Sequence, residues 1–184
     1  MGSTDEPIPA PAPEGTAPPE HWRYARHLDA LAAAAAAGTP AAGTPAAGSR
    51  AEAEAEACAV AAVLRDPDPV MAESAVVTHL DRRAVRLLHS DGFADWAAAM
   101  SAAVAGRAFA AGRLREWVLL KAVVRGEPWS AEELARASDW CQRTAVRSPV
   151  PPEALVLLAG AARTRLVRNG AAQRLRRATA TATA

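Results

Sequence analysis

The segment LRDPDPVMAESAVVTHL, Leu64–Leu80, decides the fold. Asp66 and Asp68 each precede a proline, and a proline ring drives the residue before it out of the α region. A helix arriving from upstream therefore stops near Arg65. Asp68 is placed to cap the next helix, with Pro69 at its first position, where the missing N–H would be unpaired in any case. The Asp68 carboxylate also faces the positive end of that helix's dipole. Beyond the turn, Val70, Ser74, Val77 and Asp81 form one stripe, and Val76 and Leu80 widen it into an apolar face with small residues between. The segment is the elbow of a helical hairpin.

Working outward, the same periodicity recurs. Upstream of the elbow, Glu52, Glu54 and Glu56 open a helix whose apolar part is Cys58 and Val60 to Leu64. Alternate positions on a helix point in different directions, so the three glutamates read as a solvated face and not a metal site. Downstream, the helix from Pro69 is expected to reach Leu80 and break near Asp81, with Ser90-Asp91-Gly92 as a turn. Phe93, Trp96, Ala97, Met100 and Val104 then follow helical spacing. Leu114, Trp117, Val118, Leu120 and Val124 line a further helix, closed by Gly126 and Pro128. Ser130 with Glu133 forms a capping box, and Trp129 with Leu134 a hydrophobic staple. The helix they open carries Leu134, Ala137, Trp140 and Cys141 on one stripe. Pro149, Pro151 and Pro152 end it, and two final helices are expected over Glu153–Ala159 and Ala161–Arg177.

No stretch shows the alternation of a strand bounded by hairpin turns. The fold class is therefore all-α, an antiparallel helical stack or small solenoid of about six to eight helices. Its ends differ in composition. Residues 1–19 are rich in proline, alanine and acid, and read as a disordered tail. Residues 20–37 read as a helix with a weak apolar face around Trp22, Leu28 and Leu31. Residues 38–49, within the repeat AAGTPAAGTPAAG, read as a flexible spacer. The helical domain is expected to span 50–177, and 178–184 to be an unfolded tail.

The run from Leu64 through the Asp-Pro turn to Val70, with Ala75 behind it, resembles the inter-helix turn and second helix of a HEAT repeat. A second echo lies in Leu155–Leu175, where Val167-Arg168 is followed by Ala171 and Leu175. The first stretch carries Met71 where such repeats often have arginine, and the second has no Asp-Pro turn. The resemblance implies a HEAT-like α-solenoid and, since HEAT stacks serve many ends, no particular activity.

The chain has 184 residues and a formal charge of +1, with 21 basic and 20 acidic side chains. This balance argues against wholesale nucleic-acid or membrane binding. The charges are unevenly placed, however. Residues 1–20 hold Asp5, Glu6, Glu14 and Glu20 with no Lys or Arg, whereas 161–184 hold six arginines and no acid. Cys58 and Cys141 fall in helical patterns far apart and read as buried free thiols. Neither a leader nor a membrane-spanning run is evident, so a cytoplasmic location and no membrane partner are expected.

Catalytic, cofactor and metal constellations are not evident. His21, His27, His79 and His89 have no nucleophile or second histidine at a ligating spacing, and read as surface histidines. Two surfaces remain. One is a groove at Trp117, with Arg115 and Glu116 beside it, and Trp140, with Asp139 and Arg143, because tryptophan and arginine are enriched where proteins bind each other. The other is a basic ridge of Arg163, Arg174 and Arg177 on the last helix. The expected function is non-enzymatic binding of a protein partner in the groove. The alternative is binding of nucleic-acid backbones by the ridge, and an enzyme with an unrecognised site ranks third.

Overall fold

The structure is a computed structural model that describes residues 20–37 and 48–182. These form nine helices: α1 (Glu20–Ala37), α2 (Gly48–Val63), α3 (Pro69–Leu87), α4 (Phe93–Ala103), α5 (Ala108–Arg125), α6 (Ala131–Arg136), α7 (Asp139–Arg147), α8 (Pro152–Ala161) and α9 (Arg165–Ala182). There is no strand among the described residues, and the fold is all-α. The tail 1–19, the spacer residues 38–47 and residues 183–184 lie outside the described residues.

The elbow is built as its sequence dictates. Asp68 is the N-cap of α3, and its Oδ1 accepts from the N–H groups of Val70 and Met71 at 3.1 and 3.0 Å. Asp66 does more than cap. Its Oδ1 accepts from Asp68 N at 2.9 Å, while its Oδ2 lies 2.9 Å from His27 Nε2 on α1. The Arg107 guanidinium donates to the Leu64 carbonyl at 2.6 Å, satisfying an acceptor that the end of α2 leaves open. The elbow thus fastens α1 and the entrance to α5 as well as joining α2 to α3.

Two layers result. α1, α3, α5, α7 and α9 pack each on the next, while α2 with α4 and α6 with α8 form the second layer. The core extends further upstream than Arg50, because α1 lies against α2 and α3, buries Leu31 and bonds Tyr24 Oη to Thr78 Oγ1 at 2.9 Å. At the other end, α9 continues past Arg177 to Ala182.

Four expectations are corrected. Glu56 is only 1% exposed, because it falls on the same stripe as Ala53, Val60 and Val63. Its Oε1 accepts from His79 Nε2 and Trp96 Nε1, both at 2.8 Å, and its Oε2 from Arg83 Nε at 3.1 Å. His79 is consequently a buried partner and not a surface histidine. Cys58 points away from this stripe and is exposed, whereas Cys141 is buried. Nor does α3 break at Asp81: it runs on to Leu87, since Asp81 is held by two donors from α5, Trp117 and Arg113.

Burial alone would push the Glu56 carboxyl up; hydrogen bonds from His79 and Trp96 and the Arg83 charge outweigh it and hold the pKa below the usual value of 4.5. A carboxyl lowered in this way stabilises the fold above the usual value, and that contribution is lost as pH falls through the lowered one. Glu56→Gln should therefore cost about 3 kcal/mol in urea unfolding at neutral pH. The gap between wild type and variant should narrow as the pH drops below 4.5. A gap that stays constant with pH would show that the carboxylate charge is not what stabilises the contact.

Candidate functional site

α5 has two faces because of its sequence. Ala110, Leu114, Trp117, Leu120 and Val123 recur at helical spacing and are buried. The opposite side carries Phe109, Gly112, Arg113, Arg115, Glu116, Val118, Leu119 and Ala122, and these line a groove of about 1370 Å³. Pro128, Trp129 and α6 form the second wall, and the start of α7 with Trp140 closes one end.

The second wall exists because the single helix expected between Ser130 and the prolines from Pro149 is broken into α6 and α7. Ser130 Oγ caps α6 by accepting from Glu133 N at 3.2 Å, as the capping box predicts. Ala137 then turns extended, with φ −56 and ψ 161, and Ser138 caps a new helix by accepting from Cys141 N at 3.2 Å. The break is fastened from both sides. Ser138 N donates to Glu116 Oε1 at 2.8 Å, and the buried Gln142 donates to the Leu134 and Ala135 carbonyls at 3.0 and 2.8 Å. Gln142 Oε1 also accepts from Arg163 N at 2.9 Å, so one side chain ties α6, α7 and the entrance to α9.

Trp117 does not line the groove. It is 3% exposed and lies beneath it, its indole N–H donating to Asp81 Oδ1 at 2.7 Å. Trp140 packs edge-on against it, with ring centroids 5.3 Å apart and planes at 72°. The Arg113 guanidinium lies 3.5 Å from the centre of the Trp140 ring and bonds Asp81 Oδ2 at 3.3 Å. Burial pushes the Asp81 carboxyl above its usual value, although the Trp117 hydrogen bond and the Arg113 charge oppose this. Asp81 on α3 thereby positions both the floor tryptophan and the cation that covers Trp140.

Of the residues picked out in the sequence, Trp140 and Arg115 do line the groove. Arg143 is paired with Asp139 at 3.2 Å and is not among the lining residues. The basic ridge is divided. Arg174 donates to the Val146 and Ser148 carbonyls at 2.6 and 2.5 Å, closing the C-terminal end of α7, so it is a structural cation. Arg163 and Arg177 have exposed side chains beyond α8 and near the end of α9. Phe109, Trp129 and Gly112 were not singled out as site residues. Phe109 and Val118, at 57% and 47% exposure, betray themselves only by falling off the buried stripe of α5.

Among the described residues no group of three or more His, Cys, Asp or Glu side chains is placed to hold a metal, and no helix is long and apolar enough to cross a membrane. Asp81→Ala should destabilise the chain by about 2 kcal/mol, since it leaves a buried indole N–H and a guanidinium without their acceptor. It should also alter the near-ultraviolet circular dichroism of the Trp117–Trp140 pair, while Asp81→Asn, which keeps one acceptor for Trp117, should lose less on both counts. Equal losses for the two variants would show that hydrogen bonding to Asp81 does not hold the pair.

No family model matches the chain, and neither the curated proteins nor the solved structures include a match to it.

Proposed function

We propose that the chain is a non-enzymatic interaction module that accepts an extended, largely apolar segment of a partner protein in the groove between α5 and α6. The observation that carries this reading is Gly112. It sits within α5, where glycine costs roughly 1 kcal/mol relative to alanine. Nothing inside the molecule requires it: a Cβ at this position would meet only the flexible tip of Arg115, at 3.8 Å. The missing side chain deepens the groove between exposed Phe109 and half-buried Leu119, and makes room for another backbone. Aromatic and apolar walls with a charged rim of Arg115, Glu132, Glu133 and Arg136 match the anatomy of a peptide site, with an apolar centre and a polar border.

The two-layer arrangement also supports a HEAT-like reading of the stack, whose use is to present such a surface on a rigid frame. Binding of nucleic-acid backbones by α9 is the second reading. It rests on the exposed Arg163, Arg165 and Arg176 in a stretch without acids, and is weakened because Arg174 and Arg168 are spent on main-chain carbonyls.

A random peptide library displayed against the full chain tests the groove. Peptides that bind wild type should lose at least about tenfold in affinity to Gly112→Gln, which fills the groove with a good helix former and should leave thermal stability equal or higher. Peptides that bind Gly112→Gln as well as wild type would exclude the groove. Binding of a DNA duplex that weakens steeply with salt and is lost on reversing the charge of Arg163 and Arg176 would favour the second reading instead.

A further inference from the structure

We infer that the segment taken up by the groove carries one acidic and one basic side chain an odd number of residues apart, set among apolar residues, with the acid paired to Arg115 on α5 and the base to Glu133 on α6. The inference rests on the groove being a peptide site, as proposed above, and names the class of peptide that the site takes.

The charges lining the groove are of two kinds. Most are answered within the fold: Arg113 bonds Asp81, Arg136 bonds Glu132 at 2.7 Å, Asp139 pairs with Arg143, and Glu116 accepts from Ser138 N. Arg115 and Glu133 also line the groove, both are exposed, and neither has an ion-pair partner among the described residues. They are of opposite sign and stand on opposite walls.

Arg115 is also well placed for a ligand. Long side chains on a helix lean back toward its N-terminus, and Arg115 does so far enough for its Nη2 to lie 3.8 Å from where a Cβ on Gly112 would be. The guanidinium therefore lies along the wall, beside the glycine that makes room for another backbone. Its planar fork of N–H donors suits a carboxylate. Apolar residues of α5 line the groove on both sides of this point, Phe109 one turn before Gly112 and Val118 and Leu119 beyond it. A ligand chain that fills the groove thus runs past the guanidinium, so the acid is an internal Asp or Glu and not a chain end.

The spacing follows from the two walls. Successive side chains of an extended chain point to opposite sides. In a segment lying between α5 and α6, residues of one parity face Arg115 with Phe109, Val118 and Leu119, and those of the other face Glu133 with Trp129. An acid toward α5 and a base toward α6 are then an odd number of residues apart, and the residues two away from either meet apolar wall. A segment with charges of one sign would leave one of the two side chains unanswered and set like charges against each other, which selects against it.

The test sequences the peptides that the full chain selects from a displayed random library and measures their affinities. Selected peptides should share an acid and a base of opposite parity within an apolar run. Arg115→Glu should weaken such a peptide about tenfold, and changing the peptide's acid to lysine should weaken it as much on wild type but restore its binding to Arg115→Glu. Replacing the base by glutamine should cost about tenfold on wild type and nothing further on Glu133→Gln. Both altered side chains are exposed, and thermal unfolding of the variants checks that the fold is kept. Selected peptides without charge, charges of one sign only, an even separation, or no restoration on Arg115→Glu would each overturn the inference. Failure of this kind is separable from failure of the groove. If uncharged peptides bind and are lost on Gly112→Gln, the groove stands and only the class of its ligand is wrong; if no peptide binds, both readings fall.

Discussion

One buried carboxylate carries much of the architecture. Glu56 leaves α2 at a core position and collects three donors, His79 and Arg83 from α3 and Trp96 from α4. A carboxylate moved out of water is tolerated only when its lone pairs are satisfied, so the position of α2 fixes where α3 and α4 must stand. The apolar contacts around it are non-directional and would accept many arrangements of these helices. The hydrogen-bonded cluster accepts few. This explains how a core built so largely from alanine and valine, which interlock poorly, still settles on one packing.

A second carboxylate repeats the device one helix further along, between α3 and α5. Asp81, three residues beyond Thr78 on α3, binds Trp117 and Arg113 of α5. The chain of dependence then runs from Arg113 to Trp140, from Trp140 to α7, and from α7 through Gln142 to α6 and the entrance of α9. Both walls of the groove are therefore set by polar contacts that begin in the α2–α3 hairpin. The groove is thus framed by helices packed on one another.

The all-α fold and the elbow were legible because they rest on local rules: proline geometry, capping, and apolar spacing near the helical period. Asp68 caps α3 and Ser130 caps α6 as their neighbours dictate. The misread residues share a different cause. Glu56 and His79 occupy stripe positions, and only their meeting across two helices, 23 residues apart, makes either tolerable there. Trp117 looked like a binding residue by composition, yet its partner Asp81 lies 36 residues away and draws it inward. The break at Ala137 was hidden because its stripe of Leu134, Ala137, Trp140 and Cys141 is helical in spacing; Ser138 as a cap and Gln142 as a brace override it. The groove itself was half visible, in Trp140 and Arg115. Gly112, which gives it depth, carries no signal until the space around it is known.

Four of the five tryptophans, all but Trp22, fall into two kinds, and this division is the most direct point of test. Trp96 and Trp117 donate their indole N–H to buried carboxylates, whereas Trp129 and Trp140 line the groove. Assigned indole N–H resonances of the full chain, followed by proton exchange with water and by titration with a groove-binding peptide, separate the two. Slow exchange and unmoved signals are predicted for Trp96 and Trp117, with shifts on titration concentrated at Trp129 and Trp140. Shifts spread evenly over all four, or fast exchange at Trp117, would contradict the assignment of a buried pair beneath an open one.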